Sequence, residues 1–244
     1  MRLFLFFLLI LPLLLSACAK TVPPTKSANQ YVEEAEQFLQ KGEYADAVAA
    51  WEKVRDNYYS AELSTLAELK IADAQFLDEK YPEATSSYEL FLKAHPTHPQ
   101  TAFVLYRLGL CYYRQMLPPD RDQTATRNAR ITFRNLRKLY PDDARGAEVD
   151  QMLKVCNDRL AEQEFLIGDF YLRTGKHQAA AGRLEPLLTS APDLSRREEL
   201  YYDLVLINLE LFKRQEAEQV FQRLQNEFPQ GRLTKKARAA LDTE

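Results

Sequence analysis

Glycine is scarce in this chain, with seven in 244 residues against an average share of about 7%. Folds that wrap tight turns around phosphates use glycine freely, so dinucleotide-binding, P-loop and barrel architectures are disfavoured. Cysteine and histidine number three each, too few for a disulfide framework or an array of metal ligands. An excess of one charge is also missing. The 32 Lys and Arg against 35 Asp and Glu leave −3, which excludes a general nucleic-acid binder. No H-E-x-x-H, G-x-S-x-G or P-loop motif occurs, so no catalytic centre, metal or cofactor is expected. What is abundant is apolar and helix-forming: 46% of residues are hydrophobic, enough for a sizeable core, and the balance predicts an all-α protein.

Long hydrophobic runs are absent too. The stretch from Leu3 to Leu15 is apolar apart from Pro12, but a spanning helix needs about 20 residues. A basic Arg2, a short apolar segment and small residues after it predict an export signal; a short membrane anchor is the less economical alternative. Leu15-Ser16-Ala17-Cys18 resembles the lipobox of bacterial lipoproteins. That resemblance implies cleavage after residue 17 and acylation of Cys18, and two or more acyl chains anchor stably where one does not. Ala19 stands where an inner-membrane retention signal would place Asp, so the expected location is the periplasmic face of the outer membrane. Residues 18–27, with Pro23-Pro24, read as an extended tether.

The remaining residues, 28–244, are repetitive. Ala47-x3-Trp51-x2-Val54, Ala84-x3-Tyr88-x2-Phe91, Ala129-x3-Phe133-x2-Leu136, Ala180-x3-Leu184-x2-Leu187 and Ala217-x3-Phe221-x2-Leu224 each line one helical face. Pro96, Pro141, Pro192 and Pro229 follow four of the five at a constant interval, where proline stops a helix; Tyr59 takes the place in the first copy. Upstream of each triad stands Ala35, Ala72, Gly109, Gly168 or the bulkier Val205, small residues that suit close approach of two antiparallel helices. This pattern resembles the tetratricopeptide repeat. The resemblance implies a single solenoid domain of five helix-turn-helix units, with Arg232 to Leu241 as a capping helix.

In such arrays the first helices line a groove. Carrying over the lining positions nominates Leu69, Phe76, Leu77, Phe103, Tyr106 and Tyr113 as candidates for holding an extended peptide; the alternative for each is ordinary packing. Arg107 to Arg145 is locally basic, with nine basic against four acidic residues, which suits either an acidic partner or a solvated helix face. His95-Pro96-Thr97-His98-Pro99 is fixed as a turn by its prolines and lacks a ligand set. Cys111 and Cys156 are either buried thiols or, in an oxidising compartment, a disulfide.

Three stretches carry a closer resemblance: Pro96-Thr97-His98-Pro99 with Val104, Tyr106 and Gly109-Leu110; Asp120-Arg121-Asp122 with Ala129-Arg130 and Phe133; and Asp158-Arg159-Leu160-Ala161 with Glu164, Tyr171 and Arg183-x-Glu185. Together they resemble the BamD family, lipoproteins of the outer-membrane β-barrel assembly machinery. The resemblance implies a scaffold that catalyses no bond chemistry. Its C-terminal units would dock on the periplasmic domain of BamA. Its N-terminal units would contact unfolded outer-membrane β-barrel proteins and, in some bacteria, an accessory lipoprotein. By position, Asp120, Arg121, Asp122 and Arg183 are assigned to the partner surface, with an intramolecular ion pair as the competing role for Asp120 and Arg121. A pilotin, a tetratricopeptide lipoprotein that escorts secretin subunits, is the alternative reading; a peptidoglycan-linked enzyme cofactor is a third.

Overall fold

A computed structural model describes residues 26–57 and 60–243. The export signal, Cys18, most of the tether and Tyr59 lie outside the described residues. Among the described residues all regular structure is helical. The helices are α1 (Ala28–Lys41), α2 (Tyr44–Asn57), α3 (Ala61–Leu77), α4 (Tyr81–Ala94), α5 (Thr101–Arg114), α6 (Thr124–Leu139), α7 (Gly146–Arg173), α8 (His177–Leu184), α9 (Leu187–Ser190), α10 (Arg197–Glu210), α11 (Arg214–Glu227) and α12 (Arg232–Thr243). They form two compact units, one ending at Ala67 and the other beginning at Glu68. The first holds the α1–α2 hairpin and the start of α3; the second holds the rest.

Every residue of the five repeated triads is buried, so the 3.6-residue spacing reports a true core face. The partner on the first helix is equally consistent: Ala35, Ala72 and Val205 have no exposed surface. Small-to-small contact is not what brings the helices together, however. A Cβ on Gly109 would overlap the Phe133 ring, and one on Gly168 would overlap Leu184. Phe133 and Leu184 are the large middle members of their triads. The small residue is a socket for that side chain, and adding a methyl group there would force repacking in a dense core.

The chain reverses within hairpins and between them by two recurrent devices. Within hairpins 1, 2, 4 and 5 the turn residue is left-handed: Gly42 (φ 77°), Glu79 (φ 56°), Gly175 (φ 71°) and Phe212 (φ 57°). In each case two successive backbone N–H groups return to the last turn of the first helix, as Gly42 to Leu39 and Glu43 to Phe38 do, satisfying its free carbonyls. Between hairpins, His95, Tyr140, Ala191 and Phe228 precede the four prolines with φ from −128° to −136°. Proline excludes the α conformation from the residue before it, and each helix therefore ends at the same register.

The third and fourth hairpins depart from the common length. Residues 115–123 form a loop between α5 and α6. Helix α7 is 28 residues long: Val149 and Cys156 in its first half pack against Ala129, Phe133 and Leu136 of α6. Ala161 and Phe165 in its second half pack against Ala180 and Leu184 of α8. Helix α12 lies on α10 and α11, covering Val205 and Leu209 with Ala237 and Leu241. The fold is all-α, of the tetratricopeptide-repeat solenoid type, with five hairpins and a C-terminal helix. No helix among the described residues is long and apolar enough to cross a membrane. Cys111 and Cys156 are buried free thiols, and burial pushes them up to about 12 and about 11.

Candidate functional site

Of the six groove candidates, three are brought together. Phe76 comes from the last turn of α3, and Phe103 and Tyr106 come from α5. Two arginines interleave with them. The Arg107 guanidinium lies 4.3 Å from the Phe76 ring centre and 5.2 Å from that of Phe103. The Arg145 guanidinium lies 5.8 Å from Phe103 and 4.8 Å from Tyr106. Each such contact contributes about 0.5–2 kcal/mol, more as water is excluded. Arg145 is aimed by Asp143, to which its Nε donates at 2.7 Å, and this contact holds the Asp143 carboxyl at about 2. The Tyr106 hydroxyl donates to Glu148 at 2.8 Å.

The result is a half-buried face of alternating rings and cations, able to hold apolar side chains against the rings and carbonyl or carboxylate oxygens against the guanidiniums. Leu69 does not belong to it. It is 4% exposed and packs in the core with Ala72, Tyr88 and Val104. Tyr113 packs edge-on against Phe133, with ring centres 6.5 Å apart. Leu77 is 44% exposed at the end of α3.

Below the ring face, Asp73 accepts a hydrogen bond from the Tyr88 hydroxyl at 2.6 Å. Burial raises the Asp73 carboxyl, and the Tyr88 hydroxyl, Arg107 and Lys70 pull it back. Arg107 itself keeps a buried Nε–H with no acceptor. The same register recurs in the fourth and fifth hairpins with other residues. Asp169 follows Gly168 as Asp73 follows Ala72, and Asp203 precedes Val205 as Arg107 precedes Gly109. Asp203 is 7% exposed, and its Oδ2 has no donor. Burial, with repulsion from Glu199 and Asp169, pushes its carboxyl up to about 7, against the opposing pull of Arg196.

On the candidate partner surface, Asp120 and Arg121 are exposed and pair with each other at 3.7 Å. Asp122 accepts from the Thr124 backbone N–H at 2.9 Å, which lowers its carboxyl pKa and anchors the start of α6. The loop is held by a residue that sequence reasoning passed over, the fully buried Gln123. Its amide donates to the carbonyls of Leu117, Pro118 and Arg121, at 2.7 Å for Pro118. Its oxygen accepts from the Thr126 hydroxyl at 2.7 Å. Arg159 of α7 donates to the Leu117 carbonyl as well. Five residues further along α7, about 7.5 Å of helix rise, Glu164 accepts from Arg183 at 3.0 Å. The loop and Arg183 are thus tied to the same stretch of α7.

Buried triads, socketed first helices and recurrent Schellman turns define a helical-hairpin repeat protein of the tetratricopeptide class. A family model described as "YfiO: Outer membrane lipoprotein" matches residues 24–212, and the chain belongs to that family. Among curated relatives, the outer membrane protein assembly factor BamD of Neisseria gonorrhoeae is 26% identical over 237 residues, 90% of this chain and 89% of the relative. The BamD of Vibrio cholerae is 27% identical over 192 residues, covering 74% and 80%. The BamD of Caulobacter vibrioides is 27% identical over 179 residues, 73% of this chain and only 59% of the relative's length. Among solved structures, the TPR2AB-domain:pHSP90-complex of yeast Sti1 is 13% identical, covers 88% of this chain and 83% of that one, and has a TM-score of 0.45.

Proposed function

We propose that the chain is an outer-membrane assembly factor, a lipid-anchored scaffold of the β-barrel assembly machinery that makes and breaks no covalent bonds. It would engage unfolded outer-membrane proteins along the ring-and-arginine face of α3 and α5. It would meet the periplasmic domain of BamA through the surface around Asp120, Arg121, Asp122 and Arg183. The observation that carries this reading is the half-buried alignment of Phe76, Phe103 and Tyr106 with Arg107 and Arg145. Such a face offers one extended polypeptide many weak contacts and holds no pre-set geometry for a reaction. Affinity for an unfolded client should be modest, because ordering it consumes part of the interaction energy.

Family membership supports the outer-membrane setting. The anchor would be Cys18, with the signal removed after residue 17 and residues 18–27 as the tether to a repeat domain over 28–244. Affinity purification from gently solubilised outer membranes tests the partner. Co-purification of BamA is expected, whereas a secretin in its place would favour the pilotin. A Cys18→Ser variant should appear in the soluble periplasmic fraction; continued membrane retention would refute the anchor.

A further inference from the structure

Helix α6 stands apart in charge. Its 16 residues carry Arg127, Arg130, Arg134, Arg137 and Lys138 and no carboxylate. Arg127 lies in the first turn, where the helix dipole disfavours a cation. Arg137 is paired with Asp150 at 3.0 Å, but its neighbours are not neutralised. Among the described residues Arg127 hydrogen-bonds only the neutral Gln163 and Thr124, both at 3.5 Å, and meets the Asp122 carboxylate through space without an ion pair. Arg130 keeps a buried Nε–H without an acceptor. Burial and the nearby charges of Arg134 and Arg127 lower its pKa. No ion pair of Arg134 occurs among the described residues. On neighbouring elements Arg145, Arg183, Arg196 and Arg197 each hold a carboxylate.

The unpaired cations border a cleft. Arg130 and Arg134 line a recess of about 240 Å³ with Asn157 and Leu160 of α7 and Leu187 and Ser190 of α9. The cleft's one carboxylate, Glu164, is already held by Arg183 at 3.0 Å. Two guanidiniums, an amide and a hydroxyl stand over an apolar wall. The Ser190 hydroxyl already donates to the Pro186 carbonyl at 2.9 Å, so a free inorganic anion would use the guanidiniums and the amide and leave the wall bare. A polypeptide bearing an acidic side chain beside an apolar one uses both.

We propose that this cleft between α6, α7 and α9 seats an acidic segment of a protein partner, one Asp or Glu side chain lying between Arg130 and Arg134 and a neighbouring apolar side chain lying against Leu160 and Leu187. The planar fork of arginine suits a carboxylate, and a charge pair closed off from water holds a complex together longer than a rim pair does. The proposal rests on the partner reading above, so the probe is the purified periplasmic domain of BamA.

Binding is measured by titration calorimetry at low and at physiological salt for the wild type, R134E, the R130Q/R134Q double variant and K138Q. Arg134 and Lys138 are exposed, so R134E and K138Q leave the fold intact, and matched circular dichroism melts check the double variant. R134E and R130Q/R134Q are each expected to bind about tenfold more weakly or worse, with a shallower salt dependence, while K138Q stays within about twofold of wild type. Wild-type affinity in R134E would overturn the cleft and leave the partner reading standing. An equal loss in K138Q would also overturn the cleft, showing long-range attraction instead of a seat. Failure of the wild type to bind would overturn both.

Discussion

Two seams between neighbouring first helices occupy the same repeat register and carry opposite electrostatics. Where α3 meets α5, the charges are Asp73 and Arg107. Where α7 meets α10, they are Asp169 and Asp203. At the first seam a buried carboxylate has a hydroxyl donor at 2.6 Å and a cation to offset its desolvation. At the second, a carboxyl oxygen has no donor, two further carboxylates repel it, and Arg196 alone offsets them. Burial of a charge is costly unless it is paired. The repeat scaffold fixes where these side chains sit, through the sockets at Ala72, Gly109, Gly168 and Val205. It does not fix whether they agree, and the chain pays for that at the late seam.

The largest test removes the disagreement. A carboxyl raised to about 7 in the folded protein, against about 3.9 unfolded, takes up a proton on folding between those values. Stability therefore falls as pH rises from about 4 through about 7 and is level above. Asp203→Asn should erase that slope. In urea titrations at pH 8 the variant is expected to gain about 3 kcal/mol, and at pH 4 almost nothing. A gain independent of pH would place the effect in packing and dissolve the comparison.

The converse test makes the early seam resemble the late one. Arg107→Met keeps an unbranched apolar stem but deletes the cation that faces Asp73 and lies between Phe76 and Phe103. Two ring contacts and one charge interaction go together, a loss of about 2 kcal/mol at pH 8. The deficit should shrink toward pH 4, because burial raises the Asp73 carboxyl and the protonated form needs no counter-charge. If the deficit is the same at both pH values, Arg107 stabilises only by stacking on the rings.

Which of these features can be read from sequence follows from their range. The triads and prolines act within one helix or one turn, so spacing alone exposes them, and all fifteen triad residues are buried. Phe76, Phe103 and Tyr106 were legible as groove candidates because repeat register is also local. Repeat register also nominates Leu69 for the groove, yet it lies three residues before the socket residue Ala72. That spacing keeps it on the helix face turned to the core. Arg107 and Arg145 escaped notice because their role is contact across helices, and a count of local basic charge does not say which rings lie beside them. Gln123 left no signal at all: a neutral side chain at a loop–helix junction looks ordinary until its three carbonyl partners are folded around it. Asp203, likewise, is unremarkable until Asp169 is brought against it.

The smallest effect separates seam from turn. Phe212, 96% exposed with φ 57°, occupies the left-handed turn position that Gly175 fills in the hairpin before it. A side chain in this conformation costs about 1–2 kcal/mol, and Phe212 has almost no burial to set against that cost. Phe212→Gly relieves the strain but frees the unfolded chain, for a net gain of about 0.5–1 kcal/mol in urea titration. Glu79, at φ 56°, holds the same position in the hairpin of the early seam, so Glu79→Gly should gain a similar amount. Neither gain should follow the pH dependence that Asp203 imposes, since neither substitution touches that carboxyl. Equal, pH-independent gains in both hairpins would confine the difference between them to the carboxylates. A pH-dependent gain from Phe212→Gly alone would mean that the fifth-hairpin turn and Asp203 move together, and that the late seam is strained as a whole.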